Sequence, residues 1–247
     1  MSYGICISFV YLQPAVTFPI MQPVQTSLIH QLAPFDETRR GPHPTIVLLH
    51  GRGANEDDLL GLVPYLDPRF LCVAPRAPYR FGNGGHTWYD LREVGSPESE
   101  QFEESYSKLS QFLDDIQEHY PVDPKRTFLL GFSMGTVMSY SLALTKPERI
   151  RGVVAHSGYV PEHSSLPFKW DLLSGTEFFI AHGIHDPVIP VAFGRRANTL
   201  LSATAALVVY REYPIQHQIS QDSLHDLSEW LAIRVDSPRP TGALPQN

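Results

Sequence analysis

Short all-apolar runs alternate with longer stretches of helical spacing along most of the chain. Thr45-Ile46-Val47-Leu48-Leu49 offers no charged position to solvent, so it predicts a strand covered on both faces. Runs at 70–74, 127–130, 150–155, 177–181 and 206–210 predict further strands, and the partial alternation over 26–32 suits an edge strand. Between them lie helical patterns. Asn55 is placed to cap a helix from 56 to about 65, with acidic residues in its first turn. The spacing over 97–120 puts Phe102, Tyr106, Leu109, Phe112, Leu113 and Ile116 on one side, and Pro121 and Pro124 end it. Residues 136–144 are an apolar helical stretch, 191–201 read as a helix, and 222–234 carry Leu224, Leu227, Trp230 and Leu231 on one face. This alternation predicts an α/β fold, with a largely parallel sheet and helices on both faces. No repeat or internal boundary interrupts it. One domain is expected over 24–235, with an N-terminal extension at 1–23 and a disordered, Pro-rich tail at 236–247.

Composition adjusts this picture in a few places. Of 247 residues, 43% are hydrophobic, enough for a sizeable core. The net charge of −7 and the lack of a basic run argue against a nucleic-acid partner. Cys6 and Cys72 are too few for a disulfide framework and read as thiols. No Cys and His cluster has zinc-site spacing, so neither metal nor cofactor is expected. Residues 1–20 hold no basic residue and are broken by Pro14 and Pro19. They suit neither a secretory leader nor a membrane span, and a cytoplasmic setting is expected.

Chemistry centres on Gly131-Phe132-Ser133-Met134-Gly135. It fits G-x-S-x-G, with an apolar run before it and a helical stretch after it. That context is the one a nucleophile elbow requires, a strained turn that lifts the serine hydroxyl above the sheet. A serine hydroxyl needs an imidazole to take its proton and a carboxylate to orient the imidazole. Loops after later strands offer Asp186 and then His217, in the chain order of this architecture. Among the eleven histidines, His50, His156, His182 and His185 also follow strands and compete with His217; Asp222 and Asp226 compete with Asp186. Arg52 and Arg76 suit either an anionic substrate group or ties between loops. The long aromatic and glycine-rich segment over 75–95 suits a binding wall, with Phe81, Trp88 and Tyr89 as lining candidates or as packing beneath it.

Several stretches together resemble the phospholipase/carboxylesterase family of α/β-hydrolases, which includes acyl-protein thioesterases. They are Leu48-Leu49-His50-Gly51-Arg52-Gly53 with Asn55-Glu56, Ala74-Pro75-Arg76-Ala77-Pro78, Trp88-Tyr89-Asp90 and the elbow. His182-Gly183, Asp186-Pro187-Val188-Ile189-Pro190, Gly194-Arg195 and His217 complete the set. The resemblance covers roughly 24–233. It implies an α/β-hydrolase fold with a minimal cap at 158–175. It also implies Ser133 as nucleophile, Asp186 as acid, His217 as base, and an oxyanion hole from the N–H groups of Arg52 and Met134. The implied substrate is a small-molecule ester or thioester of small to medium acyl groups, without stable membrane insertion; a homodimer is compatible with it. An impaired binding protein of the same fold, a peptidase and a lyase are the other readings. Two departures stand out: Gln216 where the family often has glycine, and Thr136 where it often has Gly or Ala.

Overall fold

A computed structural model describes residues 21, 23–36, 40–97, 99–237, 239 and 240. In chain order the elements are β1 His30–Leu32, β2 His43–Leu49, β3 Leu71–Pro75, β4 Tyr79–Phe81, β5 Gly85–Thr87, β6 Leu91–Glu93 and β7 Ser96–Pro97. There follow α1 Ser99–His119, β8 Val122–Phe132, α2 Met134–Thr145, β9 Gly152–His156, β10 Glu177–Gly183, α3 Val191–Ser202, β11 Leu207–Tyr213 and α4 Gln221–Arg234. Seven strands form one sheet in the order β1-β3-β2-β8-β9-β10-β11. The edge strand β1 is antiparallel to β3, and every other pairing in the sheet is parallel. Of the extension expected at 1–23, residues 1–20 and 22 lie outside the described residues, as do 238 and 241–247 of the tail. Arg239, within that tail, donates to the carbonyls of Glu148 and Gly175 at 3.1 Å each.

Two buried cores flank the sheet. One takes Phe102, Leu109, Phe112, Leu113 and Ile116 of α1, the body of α2, and Ala197 and Leu201 of α3. The other packs Leu224, Leu227, Trp230 and Leu231 of α4 against Phe128 and Phe179. All twelve residues of α2 are buried, which is why its sequence shows no polar face. The hydroxyls of Ser139, Ser141 and Thr145 bond to carbonyls four residues back, so none enters the core unsatisfied. Thr136 packs at the start of α2, its hydroxyl shared between the carbonyls of Gly131 at 2.7 Å and His156 at 2.8 Å. A residue without this hydroxyl would leave the ends of β8 and β9 without that tie.

The structure departs from the sequence pattern in three places. The helix expected over 56–65 is a 3-10 helix, Leu59–Tyr65. Pro64 has no N–H to give and crowds the carbonyl four residues back, so an α-helix does not propagate there. Strand β8 begins before Pro124: His43 pairs with Val122 and Thr45 with Thr127, and the proline lies in the irregular stretch between. The loop over 75–95 contains the short hairpin β4–β5 and the first strand of a second, β6–β7, which ends at Pro97. The segment 158–175 carries one 3-10 turn, Trp170–Leu172, and Lys169 N–H bonds to Leu144 O at 2.7 Å. It therefore reaches the end of α2 opposite Ser133.

Candidate active site

Ser133 sits between the end of β8 and the start of α2, at φ 54° and ψ −116°. Positive φ is strained for a residue with a Cβ. The turn is held by Ser133 N–H to His156 O at 2.9 Å and Thr136 N–H to Ser133 O at 3.0 Å. Two residues on, only a glycine fits. A Cβ on Gly135 would stand 1.9 Å from Leu49 O, so β2 and α2 approach this closely only around a glycine.

His217, on the loop between β11 and α4, reaches over this turn. Its Nε2 lies 2.9 Å from Ser133 Oγ, and its Nδ1 lies 2.6 Å from Asp186 Oδ2. The other carboxylate oxygen of Asp186 accepts from the N–H groups of Val188 at 2.8 Å and Ile189 at 2.9 Å. Burial alone would push the Asp186 carboxyl up. The hydrogen bond from His217, joined by the two backbone donors, outweighs it and holds the group below the usual carboxylate range. An ionised Asp186 can only accept, so the network assigns the proton to Nδ1 of His217 and leaves the Nε2 lone pair facing the Ser133 hydroxyl.

The loop after β2 approaches from the other side. His50 is buried, with Nδ1 2.7 Å from Gly51 O and Nε2 accepting from Ala77 N–H at 3.0 Å. Burial lowers its pKa to about 4, with the Gly51 bond opposing, so the ring is a neutral strut. The hairpin β4–β5 braces the same loop, through Gly53 N–H to His86 O and His86 N–H to Ala54 O, both 2.8 Å. Arg52 N–H has no hydrogen-bond partner among the described residues. Met134 N–H opens α2, where the first N–H groups have no intrahelical acceptor.

Other candidates fall away from Ser133. His156 is fully buried between Ser157 Oγ at 3.0 Å and Ser223 Oγ at 3.1 Å, and burial lowers its pKa to about 3. His182 lies 2.8 Å from Ile189 O and steadies the Asp186 loop; His185 is exposed. Asp226 accepts from Tyr213 Oη at 2.7 Å, and Asp222 is exposed on α4. Arg76 is tied to the buried carboxylate of Glu56, with Nε 2.6 Å from Oε2. The Arg52 guanidinium lies over the Phe81 ring, 4.3 Å from its centroid.

A cavity of about 230 Å³ adjoins Ser133 and His217. Phe81, Phe132 and Val188 supply its apolar walls. Trp88 and Tyr89, also read as wall candidates, are fully buried and do not line it. Trp88 Nε1 donates to His50 O at 3.0 Å, and the hydroxyls of Tyr89 and Tyr159 meet at 3.2 Å. Both support the loops from beneath. Gln216 is exposed, and its φ is not positive. Phe132, Val188 and Asp58 also line the cavity, and the sequence pattern did not single them out. Asp58 had read as one more acid at a helix start.

A parallel sheet with a strained serine at a strand-to-helix turn, and this order of strands, is the α/β-hydrolase fold. A family model described as Phospholipase/Carboxylesterase matches residues 33–235. The chain belongs to the phospholipase/carboxylesterase family and is a carboxylic ester hydrolase. It is 28% identical over 171 residues to acyl-protein thioesterase 1 of Debaryomyces hansenii, covering 64% of this chain and 74% of that one. A probable carboxylesterase, SOBER1-like, of Arabidopsis thaliana is 27% identical over 207 residues, covering 78% and 79%. Among solved structures, the Bacillus cereus carboxylesterase superposes with a TM-score of 0.72 at 25% identity, covering 84% of this chain and 94% of that one.

Proposed function

We propose that the chain cleaves esters or thioesters of small to medium acyl groups through an acyl-enzyme on Ser133, with His217 as base and Asp186 orienting it. The observation that carries this reading is the unbroken hydrogen-bond line from Ser133 Oγ through His217 to Asp186, 2.9 and 2.6 Å long. Ser133 Oγ attacks the acyl carbon as its proton passes to His217 Nε2. The oxyanion takes hydrogen bonds from the N–H groups of Arg52 and Met134; one such donor is worth about 2.7–4 kcal/mol. His217 then protonates the leaving oxygen or sulfur as the acyl–leaving-group bond breaks. Water then attacks the acyl-enzyme with His217 taking its proton, and His217 returns that proton to Ser133 Oγ as the acyl–Oγ bond breaks and the acid leaves. Asp186 keeps its charge throughout and stabilises the imidazolium. A cytoplasmic setting and a small-molecule substrate belong to the same proposal. Among the described residues no helix is long and apolar enough to cross a membrane.

The test is a panel of acetyl, butyryl and octanoyl esters on oxygen and on sulfur, with a fluorophosphonate probe alongside. Wild type should turn over members of the panel, show a burst, and take the label. Ser133→Ala should do none of these, beyond residual catalysis from the oxyanion donors. Labelling retained in the variant overturns the assignment.

A further inference from the structure

The cavity at Ser133 contains a charged side chain that the proposed chemistry does not use. Asp58 lines it, and also lines an adjoining recess of about 380 Å³. The two spaces share Ala54 and Asp58. Their walls differ in kind. Phe81, Phe132 and Val188 face the first, while Asn55, Asp57 and Asn83 face the second. A substrate that spans both meets apolar side chains near the serine and an acidic, amide-lined end beyond.

Asp58 is half-buried, and its carboxyl has no hydrogen-bond or ion-pair partner among the described residues. Neither arginine of the neighbouring loops pairs with it: Arg76 is bound to Glu56, and Arg52, which borders the first cavity, holds its guanidinium over Phe81 and makes no ion pair with Asp58. Burial pushes the Asp58 carboxyl up to about 6, so it is ionised at pH 7.5. A carboxylate partly withdrawn from water and without a partner gains from a group that satisfies it. An ammonium group on a ligand supplies both the opposite charge and an N–H donor. A carboxylate or phosphate on a ligand would instead meet Asp57 and Asp58 together.

We propose, on the ester-hydrolase reading of Ser133, that Asp58 is a specificity-determining residue that selects esters or thioesters bearing a protonated amine. The recess it borders takes the amine-bearing arm, and the Phe81 side takes the apolar remainder.

The test compares substrates that differ only in charge. One pair places the amine on the leaving group: 3-(dimethylamino)propyl butyrate against 4-methylpentyl butyrate. The other places it on the acyl group: the p-nitrophenyl esters of 4-(dimethylamino)butyrate and 5-methylhexanoate. The readout is the ratio of kcat/KM within a pair at pH 7.5, which partial misfolding of a variant does not move. Wild type should favour the amine by about tenfold or more in at least one pair, the scale of one charge-assisted contact. Asp58→Asn should bring that ratio to within about threefold of unity. The same ratio in both proteins, in both pairs, overturns the proposal. Calorimetry on Ser133→Ala with the matching uncleavable amides, N-[3-(dimethylamino)propyl]butyramide and N-(4-methylpentyl)butyramide, separates the two readings. A charge preference there that Asp58→Asn removes upholds Asp58 even if no ester is cleaved. No preference there, with esters cleaved normally and without charge preference, refutes Asp58 alone.

Discussion

His50 should make the protein acid-labile in a way that one substitution removes. In the fold its ring donates from Nδ1 to Gly51 O and accepts at Nε2 from Ala77 N–H. A second proton would turn Nε2 into a donor aimed at another donor. The folded ring titrates at about 4, against 6.5 for an ordinary histidine. Between those values the unfolded chain binds a proton that the folded chain refuses. Stability is therefore full above pH 6.5, falls as the pH drops towards 4, and levels off below. At pH 4.5 the loss from this one group is roughly 2.5 kcal/mol. His156, lowered to about 3, adds a loss of the same sign, so the pH dependence of wild type alone does not isolate His50. His50→Gln keeps a donor and an acceptor but does not titrate. Urea unfolding of both proteins at pH 7.5 and 4.5 gives the comparison. Whatever the variant costs at pH 7.5, the gap between the two should shrink by roughly 2.5 kcal/mol at pH 4.5. A gap that stays constant to within about 0.5 kcal/mol would show that His50 is not held neutral, and the strut reading of the loop after β2 would fail with it.

Three further outcomes are expected. Asp186→Asn should lower kcat by orders of magnitude by freeing the wrong His217 tautomer, whereas Asp226→Asn, which only loses its Tyr213 contact, should stay within a few-fold; the reverse ranking on p-nitrophenyl butyrate would overturn the assignment. Gly135→Ala must move Leu49 or α2 to admit a Cβ 1.9 Å from a carbonyl oxygen, so its urea midpoint should fall by the equivalent of ~3 kcal/mol or more; an unchanged midpoint would refute the close approach. Gln216→Gly should change kcat/KM for acetyl, butyryl and octanoyl esters by the same factor, because the exposed Gln216 does not line the cavity; a selective gain on octanoate would place its side chain at the acyl rim.

The buried strands and the order of Ser133, Asp186 and His217 were legible because each is a local signal. An all-apolar run has few structural outcomes, and the elbow needs its glycines at fixed offsets. The misread parts depend on distant contacts. Nothing within 75–95 announces that His86 will pair with Gly53 and Ala54, the contacts that tie the β4–β5 hairpin to the loop after β2. Trp88 and Tyr89 look alike whether they face a ligand or underlie a loop; only the positions of His50 and Tyr159 decide it. Pro64 was a local warning against the helix over 56–65, and its effect there was predictable in kind.

His217 comes from the loop between β11 and α4, 84 residues after Ser133 in the chain. The capping box of Ser220 and Ser223 fixes the helix that follows it, and Ser223 Oγ also contacts His156, the residue whose carbonyl holds the Ser133 turn. On the proposed roles, Ser133 and Asp186 are thus synthesised before the His217 base on which the reactivity of the serine depends. On that reading, a chain emerging from the ribosome should hold an inert Ser133 until its last β-strand and helix have docked. Ester cleavage, followed in real time during translation or refolding, is then a clock for the closing event of folding.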